Sequence, residues 1–344
     1  MKLSAVALSL YSLLILRIVV PDLLVTQAVA LGIGILLYLA VKRIDPRFYE
    51  VFWPACYVLQ LVLLLLTFLG PEIRGSQRWI GVGAFSFQPV EITKPLIIIS
   101  LAGFLATRPG RGFRQAVILA LLLAVPALLV FRQPDLGNAI VLTLIGTMLL
   151  FGAGFGLRYL IIPAIVMTTL VPYLWRFLAD YQKIRITSFI NPSFDVQGAG
   201  YNARQALIAV GSGGLFGKGL GEGTQSKLQF LPEFHTDFIF ATIVEQLGFI
   251  GGIVVLLLYF WLLVQLLRKG RTDYILQRLM VLGLFAQLLA QSVINIGMNL
   301  GIMPITGITL PFVSYGGSSM ISLWVSLAVI DSFRRQPDQM IAIR

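Results

Sequence analysis

The chain has 344 residues, 58% of them hydrophobic and 12% charged, and its mean hydropathy of +0.89 excludes an ordinary soluble globular domain. The formal net charge is +11, yet the basic residues lie in short segments between apolar runs, which excludes a nucleic-acid surface and points to membrane topology. A lone Cys56 within an apolar run excludes an intramolecular disulfide and reads as a small apolar residue.

Apolar runs of roughly 20 residues, long enough to cross a hydrocarbon core, recur along the chain. They predict an all-α polytopic membrane protein, a single integral membrane domain over 1–344. About ten transmembrane helices are expected, at 4–20, 24–41, 51–70, 90–107, 115–131, 138–155, 159–178, 238–267, 275–299 and 315–333. The first opens near Lys2, lacks a clear small-residue cleavage site and is followed by Pro21, so it reads as an uncleaved span and not as a signal peptide.

Ten spans put both termini on one side. With the termini in the cytoplasm, 15 of the 26 Lys and Arg residues fall inside, whereas the short outer segments near Asp22 and after Leu300 hold none, as the positive-inside rule requires. The longest polar stretch, 179–236, then lies outside as a large extracytoplasmic loop before the eighth span. It mixes Tyr181, Phe189, Tyr201, Leu207, Phe216 and Phe230 with nine glycines. Such a loop is expected to fold against the bundle, with a short helix over 203–210 stopped by Gly211, Gly213 and Gly214.

Ionisable groups within or beside the spans are expensive unless paired or facing an aqueous cavity. Arg17, Glu91, Lys94, Asp237 and Glu245 are the clearest, and all fall toward the outer leaflet. Arg17 reads as snorkelling to the interface. Glu91 and Lys94, three apart on a helix, share a face; they form either a structural ion pair or the lining of a cavity for a headgroup and its phosphates. Glu245 carries the same two readings. Asp237 stands where the outer loop becomes a helix, either as a carboxylate favoured by the helix dipole or as a partly desolvated general base. His235, the only histidine, reads as a loop residue. Trp79 is either an interfacial anchor or a ring for a sugar to stack on.

Several motifs fail. Gly213-Gly-Leu-Phe-Gly-Lys-Gly has Gly219 where a phosphate loop needs Ser or Thr. One His and one Cys cannot build a zinc cluster, and no Gly-x-Ser-x-Gly elbow is present. The metal question stays open only for a divalent cation bound by carboxylates.

A set of segments in fixed order carries a family likeness: Gln77-Arg-Trp-Ile, Gln88-Pro-Val-Glu-Ile-Thr-Lys94, Gln133-Pro-Asp-Leu-Gly137, Gly198-Ala-Gly-Tyr-Asn202, Gly211-Ser-Gly-Gly-Leu215, Gly217-Lys-Gly-Leu220, Gly223-Thr-Gln-Ser226, Phe230-Leu-Pro-Glu233, His235-Thr-Asp-Phe-Ile-Phe240, Pro304-Ile-Thr-Gly307 and Leu310-Pro-Phe-Val-Ser-Tyr-Gly-Gly-Ser-Ser319. With these the chain resembles the SEDS family of shape, elongation, division and sporulation proteins over nearly its whole length. It departs at Val90, where the family usually has Ser, and at Thr93. Gly223-Thr-Gln-Ser leans toward the elongation branch over the division branch.

The resemblance implies a peptidoglycan glycosyltransferase of the bacterial cytoplasmic membrane. Its substrate would be lipid II, the undecaprenyl-pyrophosphate-linked disaccharide peptide, polymerised for cell-wall elongation and rod shape. A class B penicillin-binding protein would be its cross-linking partner. The resemblance also carries Asp237 over as the essential carboxylate, with Trp79, Glu91 and Lys94 as further functional positions. In the mechanism it suggests, Asp237 takes the proton of the attacking sugar hydroxyl. Lys94, Arg204, Lys218, Lys227 or a divalent cation would neutralise the departing pyrophosphate. Two other readings stand beside it: a lipid II flippase, which needs polar groups open to both leaflets, and a non-catalytic scaffold for the penicillin-binding protein.

Overall fold

The computed structural model describes residues 1–70, 77–82, 85–108, 110–156, 158–159, 161, 169, 173, 175–178, 180–191, 195 and 198–333. Seven of the described helices are long and apolar enough to cross a membrane. They are α1 (Lys2–Val19), α2 (Pro21–Val41), α3 (Arg47–Leu66, extended by a 3-10 turn to Leu69), α4 (Pro89–Thr107), α5 (Phe113–Arg132), α10 (Ile239–Lys269) and α11 (Ile275–Asn299). Two shorter apolar helices, α6 (Leu136–Gly152) and α12 (Gly317–Ser332), join them. The expected span at 159–178 lies for the most part outside the described residues. Between α6 and α10 come α7 (Asp180–Ile190), α8 (Ala199–Ser212) and the single turn α9 (Thr224–Lys227).

The helix starts follow their sequence. Pro21 and Pro89 occupy the first turns of α2 and α4, followed by Asp22 and Glu91, so proline's fixed φ and a carboxylate near the positive dipole end favour initiation there. Asp135 caps α6, its side chain accepting from Asn138 N at 3.1 Å. Before α4, a small antiparallel hairpin pairs β1 (Ile80–Val82) with β2 (Phe85–Phe87), Ile80 opposite Phe87. It is the one addition to an all-α plan among the described residues.

α4 and α11 form the interior, while α2, α3 and α5 leave most of their apolar surface outward, as lipid-facing helices do. Small residues let backbones approach where helices cross: Gly34 lies against Trp324, Gly103 against Trp53 and Gly146 against Leu123. At one end of the bundle, Lys2 and Lys42 stand 5.2 and 5.4 Å from the Tyr38 ring, whose hydroxyl donates to Asp331 at 2.6 Å. Lys269 pairs with the same carboxylate.

The described part of 179–236 packs onto the opposite ends of α10 and α11. Ala206 and Ala209 of α8 join Leu231, Phe234, Phe238, Ala241, Met298 and Ile305 in a second apolar core. α8 runs past the expected 203–210 in both directions.

α10 differs most from expectation. The sequence reads as one continuous span, but Gly248 has φ +70° and ψ −168°, a conformation open only to glycine. A break inside a span strands peptide groups that hydrocarbon cannot solvate. Here the glycine-rich loop supplies the partners. Lys218 N and Gly219 N donate to Glu245 O and Gln246 O at 2.9 and 3.1 Å, while Phe249 N and Ile250 N donate to Gly214 O and Leu215 O at 2.9 and 3.3 Å. A Cβ on Gly213 or Gly217 would fall 2.0 Å from Val244 O or 2.1 Å from Gln246 O. The stretch that superficially suggests a phosphate loop is therefore a backbone splice.

Candidate functional site

Asp237 sits in the turn that feeds α10. Glu233 opens that turn with φ +54°, and its carbonyl accepts from Thr236 N and Phe238 N at 3.1 and 3.2 Å. The next carbonyls are held from outside. Tyr315 N donates to His235 O at 2.9 Å, Ser314 Oγ to Thr236 O at 2.6 Å, and the Nδ2 groups of Asn295 and Asn299 to Asp237 O at 3.0 Å each.

The side chain is treated differently from this pinned backbone. No described residue hydrogen-bonds to the Asp237 carboxylate. Burial raises its pKa from 3.8 to about 6; Arg185 and Arg78 act against the rise, and Glu233 and Asp135 add to it. Gly307, with φ +75°, lies between the charges, since a Cβ there would be 3.5 Å from both Asp237 Oδ2 and Arg185 Nη1. A half-buried acid beside a guanidinium, with glycine between, can accept a proton at neutral pH. His235 is also affected by burial, which lowers its pKa against the influence of Glu233.

The Arg78–Asp135 network joins this site to α4. Arg78 Nε donates to Gln133 O at 3.1 Å, its guanidinium also reaches Pro134 O, and it lies 3.9 Å from Asp135 Oδ2. Gln88 Nε2 donates to the same Asp135 oxygen at 3.4 Å. Gly137 packs on Ile308 and Thr306, which sets the start of α6 against the Gly307 turn.

Glu91 and Lys94 do pair, 2.5 Å apart and buried at the start of α4, and Glu91 Oε2 has no hydrogen-bond partner among the described residues. Trp79 is half-buried just ahead of β1. Glu245, fully buried, accepts from Gln225 N at 2.8 Å, Ser226 N at 3.3 Å and Ser226 Oγ at 3.1 Å. Lys218 lies 3.9 Å from Glu245 and donates to Thr224 at 2.8 Å. Lys227 pairs with Glu222 at 3.1 Å on the surface, and Arg204 is exposed on α8.

The charges acting on Asp237 are therefore Arg185, Glu233, Arg78 and Asp135, none of which sequence reasoning proposed for the site. Arg78, Asp135 and Glu233 lie inside the motifs that carried the family likeness. Asn295 and Asn299 carry a local signal, amides four apart in an apolar span. Nothing in the sequence singles out Arg185. Among the described residues, no three His, Cys, Asp or Glu side chains gather as a metal site.

A family model described as a cell cycle protein and covering FtsW, RodA and SpoVE matches residues 5–339. The chain belongs to this family. Within the FtsW/RodA/SpoVE family it is similar to the peptidoglycan glycosyltransferase MrdB of Escherichia coli (strain K12), 39% identical over 306 residues that cover 88% of this chain and 83% of the relative. Among solved structures it resembles a chain of a peptidoglycan synthase complex in which polymerisation and crosslinking are structurally coordinated. That match has a TM-score of 0.85 and 30% identity and covers 98% of each chain. The rod shape determining protein RodA of Thermus thermophilus matches with a TM-score of 0.74 and 30% identity over 97% of this chain and 96% of that one. These likenesses place the chain among all-α, multi-pass membrane proteins on the RodA side of the family.

Proposed function

We propose that this family member works at the outer face of the bacterial cytoplasmic membrane, with both termini inside, and that Asp237 is the base of its reaction. The chain is a peptidoglycan glycosyltransferase by its family membership. The proposed substrate is lipid II, and the proposed product a glycan strand for wall elongation. Asp237 takes the proton of the acceptor sugar hydroxyl as that oxygen bonds to the anomeric carbon of the donor. The bond from that carbon to undecaprenyl pyrophosphate breaks, and the pyrophosphate leaves with the electron pair.

The observation that carries this reading is a carboxylate with its backbone fixed, its side chain unengaged by any described residue and its pKa near 6, where a general base is effective at neutral pH. We assign Arg185 and Arg78, the cations that act on Asp237, to the charge of the pyrophosphate, alongside Lys94 with its partner Glu91. Trp79 is proposed to stack on a sugar. Arg204, Lys218, Lys227 and Glu245 belong to the loop region that would cover the substrate. A divalent cation would take its coordination mainly from the substrate phosphates and water, and it would supply neutralisation of the leaving group. A class B penicillin-binding protein is the proposed partner, supported by the likeness to a chain of the synthase complex.

The test supplies lipid II to the purified chain bound to that partner. Wild type is expected to make glycan strands, and Asp237→Ala to lose at least about 100-fold in rate while still binding its partner. Normal polymerisation by the variant would overturn the assignment.

A further inference from the structure

The start of α10 has no cap of its own: Phe238 stands at the N-cap position and no side chain there bonds to the first turn. The free N–H groups of a helix start need acceptors. Asn299 provides one from the neighbouring helix, its Oδ1 accepting from Ala241 N at 2.9 Å. Its Nδ2 also donates to Asp237 O at 3.0 Å and Asn295 O at 2.8 Å. Asn295, one turn earlier on α11, donates to Asp237 O at 3.0 Å and to Ile308 O at 2.7 Å. Both amides are fully buried.

We propose that Asn295 and Asn299 are positioning residues, which fix the Asp237 backbone at the head of α10 and lock it to the Gly307 turn so that the carboxylate meets substrate in one orientation. This rests on the reading of Asp237 as the base. Asn295 bonds to both the turn before α10 and the turn after α11, beside the apolar contact of Phe234 and Phe238 with Ile305. Asn299 does for α10 what an N-cap side chain ordinarily does, from another helix. With these bonds in place, the groups around the carboxylate stand at fixed distances: Arg185 from α7, Arg78 ahead of β1, Asp135 at the start of α6 and Glu233 on the same turn. Without them the carboxylate can turn toward water.

The experiment uses the full chain co-purified with its cross-linking partner and supplied with lipid II. Asn295→Ala is expected to lower kcat about 10- to 100-fold, the scale of a misplaced reacting group, with KM altered less than about threefold. The acid limb of its kcat/KM profile is expected to move down toward the ordinary carboxylate range, which a simple loss of folded protein would not produce. Asn295→Ser, which keeps one donor, is expected to fall between wild type and Asn295→Ala, and it carries the test if the alanine variant fails to fold. Unchanged kcat in a folded variant, or lowered kcat with an unmoved acid limb, would overturn the positioning role. An active Asp237→Ala protein would instead remove the base assignment, whereas an inactive Asp237→Ala beside a fully active Asn295→Ala would remove only this inference.

Discussion

Two carboxylates near the N-terminal end of α10 live in opposite surroundings. Glu245 is wrapped by backbone N–H and hydroxyl groups of 225–226, with Lys218 nearby. Asp237 has a pinned backbone and a carboxylate that no described residue hydrogen-bonds. A buried acid whose acceptor sites are filled holds structure together, because each bond offsets desolvation. A half-buried acid left without donors is costly to the fold and available to a reaction. The difference separates a structural staple in α10 from the proposed base in the turn ahead of it.

Exchanging each acid for its amide tests the contrast most strongly. Asp237→Asn is expected to abolish most polymerisation and to raise the thermal midpoint in detergent. The sign follows from linkage: the folded-state pKa near 6 lies above the ordinary 3.8, so ionised Asp237 opposes folding, by about 3 kcal/mol at neutral pH. Glu245→Gln should do the reverse. It forfeits charge-assisted bonds worth about 1.5–3 kcal/mol and lowers the midpoint, with a smaller loss of activity per folded molecule. If both variants melt earlier and retain activity, the contrast fails.

The acid profile sharpens the same comparison. In the proposed reaction the base must be ionised, so kcat/KM should rise about tenfold between pH 5 and pH 7 with a midpoint near the Asp237 pKa of about 6. Stability should run the other way, falling as pH climbs from about 4 to 6, and Asp237→Asn should remove this fall. A flat rate profile across that window would detach the reaction from this carboxylate.

What could be read from the sequence follows from what is local. The hydrocarbon thickness fixes span length, so the expected 275–299 coincides with α11 and 90–107 with α4 to within a residue at its start. Asp237 was legible because a carboxylate at the edge of an apolar run is conspicuous, and Glu91 and Lys94 because helix periodicity alone brings them together. The break at Gly248 was not legible, since its cause is the backbone of residues 214–219 arriving from another segment. Arg185 escaped for the same reason, while Asn295 and Asn299 carry a local signal, amides four apart in an apolar span, whose target at Asp237 O only tertiary folding sets. Glu245 looked like a site residue by charge and depth, and only its hydrogen-bond partners tie it to the loop.

The smallest expected effect lies on the loop surface, at the pair of Lys227 and Glu222. Its charges are 3.1 Å apart but more than half of each side chain is in solvent, and exposed pairs contribute at most about 1 kcal/mol. As a purely structural pair, Lys227→Ala should shift the thermal midpoint barely at all and lower the polymerisation rate less than about twofold. If the lysine instead reaches down to a substrate phosphate when the loop covers the site, the variant would raise KM for lipid II by tenfold or more at unchanged stability. That outcome would also make the effect depend on ionic strength, because a cation exposed on a loop is screened by salt. A KM that moves with salt in wild type and stays flat in Lys227→Ala would enlarge the site from the pinned turn at Asp237 to the splice loop. The two regions would then meet on the substrate.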